Sequence, residues 1–333
     1  MDQFSAHIDR GWELVQKDDT RGAEASARQA LDLDPQSPEA HNLLGFIAAL
    51  EGDADEAIEY YRQAIALDDT YLEAMLNAAE VYIHPLGQFD DAINLCEQAL
   101  QLTESDEEIT DTMLLMFDAT LGKGDLEKAR SVALRIPSGP YENPNHAFLV
   151  GRALFEIGEV ACAAPLIEES VTTDPMHAEA WYYLGLVRDD QDDPSGATEA
   201  FLRTRELDLA TPPVPWTSPR DLFSEAVTGA LQALAPELRS FVEKADVFVG
   251  DVPGIELVAD GVDPRALVLL DDLATPEMPD PPCGRIFIYQ SNVERAAGNA
   301  DLLEATLVVA IGREIEATFP EAAGQAPQAA TTN

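Results

Sequence analysis

A set of small residues that returns at a fixed interval restricts this chain more than any other feature. Gly11, Ala23, Ala27 and Ala30 stand 34 positions before Gly45, Ala57, Tyr61 and Ala64. The set returns as Ala79, Ala92, Cys96 and Ala99, with one residue inserted near Pro85. It returns again as Gly151, Ala163, Ile167 and Ser170, and as Gly185, Ala197, Phe201 and Thr204. A weaker copy carries Gly124-Asp125-Leu126-Glu127-Lys128-Ala129. An interval of this length suits a unit of two helices that cannot bury its apolar face alone, so the units must stack into a solenoid. Small residues let the two helices approach, and the large residue beside them fills the remaining space. Asp34-Pro35 and Asp174-Pro175 stop a second helix, because the residue before proline avoids the α region. The copies start near Phe4, Pro38, Leu72, Thr110, Pro144 and Ala178. The fourth is expected to be the least regular. Met116-Phe117 replace its Leu-Gly and Ile136 replaces a small residue, so crowding should open that helix pair.

With Trp181, Leu184-Gly185, Ala197 and Phe201, residues 4–209 resemble the tetratricopeptide repeat family. The resemblance implies an all-α solenoid of about six helix pairs whose first helices line a partner-binding groove. Carried onto this sequence, the lining would be Ile8 and Trp12, Asn42 and Phe46, then Glu73, Leu76 and Glu80. Asp111, Leu114 and Asp118 follow, then Asn145, Phe148 and Arg152, and last Glu179, Tyr182 and Asp189. The mixture is apolar and acidic, and Arg152 is its only cation. Capture of an anionic peptide terminus needs several cationic donors, so a basic or amphipathic protein segment is the expected partner. A solvated acidic face, with the partner bound elsewhere, stays open as the alternative.

The charge balance points the same way. With 62 acidic and 20 basic residues the formal net charge is -42, a field that repels nucleic acid and anionic membranes. Solubility alone would also account for it. Hydrophobic residues make up 46% of the chain, enough for a packed core. Cys96, Cys162 and Cys283 have neither disulfide-framework nor zinc-knuckle spacing. Met1-Asp2-Gln3-Phe4-Ser5 has no leader pattern and no apolar run reaches the length of a membrane span, so a cytoplasmic protein is expected.

The pattern changes after residue 209. Residues 210–217 are Pro-rich and read as a linker; 218–320 read as a small α+β domain and 321–333 as a disordered tail. Helical spacing from Leu222 to Lys244 is divided by Pro236. Strand-like runs follow at 247–249, 255–258, 266–270 and 285–289, with a last helix from about Asn299 to Phe319. Leu302, Leu303, Leu307, Val309, Ala310 and Ile311 should give that helix its buried face.

This layout, with Phe223 to Leu238, Val247-Phe248-Val249, Val252-Pro253 and Ile286-Phe287-Ile288-Tyr289, resembles a family of minimal single-domain zinc metallopeptidases. The resemblance implies an HExxH motif on the last helix, two histidines holding zinc and the glutamate activating its water. Here those ligand positions are Arg313 and Ala317, and only the general-base position, Glu314, is kept. Arginine stays protonated, alanine has no ligating atom, and no histidine follows His177. No zinc, no other cofactor and no peptide cleavage are expected. Glu314 is either a relic exposed on the helix or an acid paired with Arg313 or Arg285. The Asp-rich stretch from Asp271 to Pro282 offers oxygens to a hard cation but lacks calcium-loop spacing.

The expectation is a non-catalytic adaptor with a pseudo-metallopeptidase domain as a further binding or assembly surface. An active hydrolase with a nonstandard site, fed by the repeats, is the competing reading. A structural subunit of a larger complex is the third.

Overall fold

The structure is a computed structural model describing residues 2–141, 143–271 and 283–319. The Asp-rich stretch beyond Asp271 and the tail lie outside the described residues. Contacts divide the chain into two compact units, Met1–Asp174 and Pro175–Asn333.

The first unit is helical throughout its described residues. It runs α1 (Gln3–Val15), α2 (Thr20–Leu33), α3 (Pro38–Leu50), α4 (Ala54–Leu67), α5 (Leu72–Ile83) and α6 (Phe89–Ala99). It continues α7 (Asp106–Gly122), α8 (Leu126–Ala133), α9 (Pro144–Glu156) and α10 (Val160–Thr173). Each odd-numbered helix packs on the next even one, and α1, α3, α5, α7 and α9 also pack on one another in turn.

The turn inside each pair is built from one recurring device. A residue in the left-handed region precedes the N-cap of the second helix, which is a capping aspartate in the first, second and fourth pairs and Gln88 or Glu159, without a side-chain cap bond, in the third and fifth. Gly52 (φ 83°) precedes Asp53 and Gly124 (φ 80°) precedes Asp125, while Asp18 takes the same role at φ 58° before Asp19. Glycine adopts that region at no steric cost, and the aspartate satisfies an orphan N–H of the helix.

Close approach explains the glycine at the centre of the pair. A Cβ on Gly45 would lie 2.7 Å from the Tyr61 ring, and Tyr61 is 1% exposed. The fourth pair exchanges these sizes. Phe117 stands where the other copies have a small residue, and Ala133 stands where Tyr61, Ile167 and Phe201 stand. Phe117 is fully buried and Ala133 nearly so, in one cluster. The expected crowding is therefore relieved by moving the bulk from the second helix to the first. The irregularity shows instead in length, with 17 residues in α7 and eight in α8.

The second unit begins with α11 (Ala178–Asp190) and α12 (Pro194–Ala210), the sixth helix pair. It continues with α13 (Arg220–Ala233), α14 (Pro236–Val242), β1 (Asp246–Gly250), α15 (Ile255–Ala259), β2 (Val268–Asp271), β3 (Arg285–Tyr289), α16 (Gln290–Ala297), a 3-10 turn at Ala300–Leu302 and α17 (Leu303–Thr318). The strands form one sheet ordered β1-β3-β2, with β1 parallel and β2 antiparallel to β3. Phe223, Val227 and Ala230 of α13 and Leu303, Leu307, Ile311 and Ile315 of α17 pack with Val268, Leu270, Ile286 and Ile288 of the sheet. Each large side chain in such a core contributes about 1.5–3 kcal/mol.

Two expectations change, and one helix was not expected. Residues 255–258 form a short helix, because Ile255 and Val258 face different environments, 55% and 0% exposed, within one turn. Residues 290–297 form α16, whose buried polar residues hid its helical face from a hydropathy reading. Residues 210–217 are tethered rather than free: Trp216 packs against the core and its indole N–H donates to Gly298 O at 3.1 Å.

The sixth helix pair is joined to the rest of its unit by charge. Asp208 of α12, 7% exposed, accepts from Arg265 Nε at 3.0 Å and faces Arg295 at 3.7 Å. Arg265 also reaches Glu179 at 3.1 Å and lies 4.7 Å above the Tyr182 ring.

Candidate functional site

The first helices of the first unit share one face, and the residues expected on it divide by exposure. Trp12 and Phe46 are half-buried and meet edge-to-face at 5.2 Å. Leu76 is half-buried, and Glu73, Glu80, Asp111 and Asn145 are exposed. Leu114 and Phe148 are buried, 6% and 5% exposed, so their repeat position serves the core at this end of the solenoid.

Asn42 is a correction. It is fully buried and offers a partner nothing. Its amide donates to Tyr71 Oη at 3.2 Å and Glu73 Oε1 at 3.1 Å, and its carbonyl accepts from Asn77 at 3.1 Å. The residue is a strut between α3 and α5, because a buried amide must find its hydrogen bonds inside the protein. Burial, with Glu73 nearby, pushes the Tyr71 hydroxyl well above the usual phenol range.

Between α7 and α9 the expected lining is likewise paired. Arg152 donates to both oxygens of Asp118 at 2.8 and 3.0 Å, so the one cation of the groove is already neutralised. Burial raises the Asp118 carboxyl above its ordinary value, with Arg152 opposing. Six residues earlier on α9, His146 sits between Glu107 and Asp111 of α7. Sequence reasoning missed His146 and Glu107; the available signal was a pair of carboxylates four apart on one helix, facing a histidine one repeat later. The face thus presents an aromatic pair at one end and the exposed carboxylates Glu73, Glu80 and Asp111 beyond it. Glu80 makes no ion pair among the described residues.

Tyr182, the last expected groove residue, lies in the second unit. Its hydroxyl donates to Asp263 at 2.9 Å and its ring lies under Arg265. It is held within that unit rather than offered to a partner.

The second unit carries an open cleft of about 740 Å³ along α17. Arg313, Glu314 and Ala317 all line it, beside Ala266, Leu267 and Val268, with Asp263 at its edge. Leu302 and Val309, about half exposed, line this cleft instead of filling the core as expected. Core burial on α17 repeats every fourth residue from Leu303, which turns those two outward. Glu314 is neither freely exposed nor paired with Arg313 or Arg285. Its carboxylate is half-buried near the Leu270 backbone, which opposes the effect of burial, and Arg285 pairs with Asp271 at 2.5 Å. Among the described residues no three His, Cys, Asp or Glu side chains converge on a point that could hold a metal.

Burial raises the Glu314 carboxyl above its ordinary value. The folded protein therefore holds this proton more tightly than the unfolded chain. Stability falls as pH rises from the ordinary glutamate range through the folded value. Glu314→Gln is expected to leave stability at pH 7 unchanged or slightly higher. It should also flatten the pH dependence above about pH 4.5. Urea titrations of both proteins at pH 4.5 and 7 check this; a clear loss of stability at pH 7 would contradict it.

Tetratricopeptide-repeat family models match residues 8–71 and 148–208, and another matches 74–110. Human tetratricopeptide repeat protein 7B is 33% identical over 90 residues, which is 26% of this chain and 10% of that protein. Anaphase-promoting complex subunit 6 of Dictyostelium discoideum is 41% identical over 51 residues, 15% of this chain and 6% of that protein. The chain therefore spans a tenth or less of these curated relatives. Among solved structures, PilF of Pseudomonas aeruginosa matches at 20% identity and a TM-score of 0.54, covering 62% of this chain and 91% of that one. PilW, described as a type IV pilus biogenesis factor, matches at 17% identity and 0.53, covering 61% and 92%. At such identities the likeness shows the fold alone. No described helix is long and apolar enough to cross a membrane.

Proposed function

We propose that this tetratricopeptide-repeat chain is a non-catalytic scaffold whose repeat face binds a basic or amphipathic segment of another protein. The carrying observation is the row of exposed carboxylates Glu73, Glu80 and Asp111 on the stacked first helices, next to the half-buried pair Trp12 and Phe46. An amphipathic segment would set its apolar side on the aromatic end and its cations on the carboxylates. The net charge of -42 would steer such a partner from a distance. On this reading the cleft along α17, apolar and with Arg313 where the resemblance implied a ligand, is a second binding or assembly surface of a pseudo-metallopeptidase domain.

A lysine-rich amphipathic peptide titrated into the full chain tests this. Affinity should fall steeply between low and high salt. Charge reversal at Glu73 and Glu80 together should weaken binding about tenfold, mainly through the association rate. Binding indifferent both to salt and to the two substitutions would remove the charge-steered reading. Trp12→Ala should weaken binding at every salt concentration, since an apolar contact is not screened.

A further inference from the structure

The cleft along α17 runs from Leu302, just before the helix, to Ala317 near its end. At 1.5 Å of rise per residue that span is about 22 Å. The cleft volume of about 740 Å³ falls in the range of small-molecule sites, roughly 300–1,000 Å³. Drawn out over that length, the volume makes a narrow channel. An α-helix about 10 Å across would need roughly twice as much space over the same length, so a helix could enter only in part. A single extended aliphatic chain matches the shape.

The walls are apolar along most of this length. Leu302, Val309 and Ala310 supply one side and Ala266, Leu267 and Val268 the other. Leu302 and Val309 are 50% and 51% exposed, apolar surface whose removal from water favours an occupant. The charged groups of α17 gather toward one end, at Arg313 and Glu314. Among the described residues Arg313 is the only cation lining the cleft, and it makes no hydrogen bond or ion pair. That is notable in a chain with 62 acidic residues, with Glu316 three positions further along the same helix. A guanidinium carries five N–H donors and no acceptor, so its complement is an anionic head.

Two carboxylates also line the cleft. Asp263, at its edge, accepts the Tyr182 hydroxyl at 2.9 Å and the Arg265 backbone N–H at 2.7 Å. Burial raises the Glu314 carboxyl, so this neighbour gives up its proton less readily than a solvated acid and repels an anion less. The net charge of -42 acts at long range, where salt screens it beyond about 8 Å, whereas Arg313 acts at contact.

We propose that the cleft along α17 binds a linear aliphatic carboxylate of the fatty-acid kind, its chain lying along Leu302 and Val309 and its head on Arg313. This deepens, and rests on, the reading of the cleft as a second binding surface.

Calorimetry of the full chain with octanoate, decanoate and dodecanoate, each below its micelle concentration, tests this. One carboxylate should bind per chain, with affinity rising about tenfold for each pair of added methylenes. Arg313→Gln should weaken decanoate roughly fivefold and leave decanol unchanged, since only the carboxylate pairs with the guanidinium. Val309→Asp should abolish both. The chain-length series on the wild type does not depend on the variants folding. Decanol binding as tightly as decanoate, or decanoate indifferent to Arg313→Gln, overturns the proposal. No saturable carboxylate binding also overturns it. If sedimentation then shows the wild type as a dimer that Val309→Asp dissociates, the occupant is a second copy and the reading of the cleft as an assembly surface stands. None of these outcomes bears on the repeat face, which the lysine-rich peptide tests separately.

Discussion

Asp208→Ala is expected to destabilise the second unit by about 3 kcal/mol, the lower end for breaking a buried ion pair because the arginines keep some solvent. Asp208 is 7% exposed, while the Arg265 and Arg295 side chains are 25% and 30% exposed. Removing the carboxylate leaves both guanidinium groups facing each other with less compensation. Arg265 would keep Glu179 and the Tyr182 ring, and the Arg295 guanidinium would keep its bond to the Asp208 backbone oxygen. Urea unfolding of the full chain, followed by hydrogen exchange on α11 and α12, measures the effect. Those helices should lose protection first. A change below about 1 kcal/mol would show that apolar contact alone holds the sixth pair. Replacing Asp208 and Arg265 together by leucine and methionine should cost less than Asp208→Ala, because no uncompensated charge remains at that bond.

Gly45→Phe is expected to cost about 1–3 kcal/mol or more and to disorder the second helix pair. Even a bare Cβ at this position lies 2.7 Å from the Tyr61 ring. The fourth pair shows how the cost can be offset, since Phe117 there is matched by Ala133. The double variant Gly45→Phe with Tyr61→Ala should therefore recover part of the loss. Thermal melts of the two single variants and the double give the coupling. Additive losses would mean that the exchange of sizes in the fourth pair depends on its own surroundings rather than on the pair geometry.

The candidate face was partly legible beforehand. Repeat position put Glu73, Glu80 and Asp111 on the outer side of their helices, where they are exposed, because a fixed helical phase decides which residues turn away from the core. The same phase could not show that Asn42 would be consumed by Tyr71, Glu73 and Asn77, or that Arg152 would be neutralised by Asp118. Each of those pairings joins residues about one repeat apart, and its existence depends on where neighbouring side chains end. His146 was missed for that reason: nothing local to it signals two carboxylates on another helix.

By itself the sequence determined the helix pairs from Gln3 to Ala210, since a 34-residue recurrence of small residues admits few other ways to bury an apolar face. Residue identity alone also showed that no histidine follows His177. Tertiary structure alone decided that the sixth pair joins the second unit, through Asp208, Arg265 and Arg295, and that Leu302 and Val309 open into a cleft. It alone placed Glu314 half-buried near the Leu270 backbone. These outcomes depend on which surfaces meet across long stretches of chain, and a pattern read along one helix carries no information about the surface it will meet.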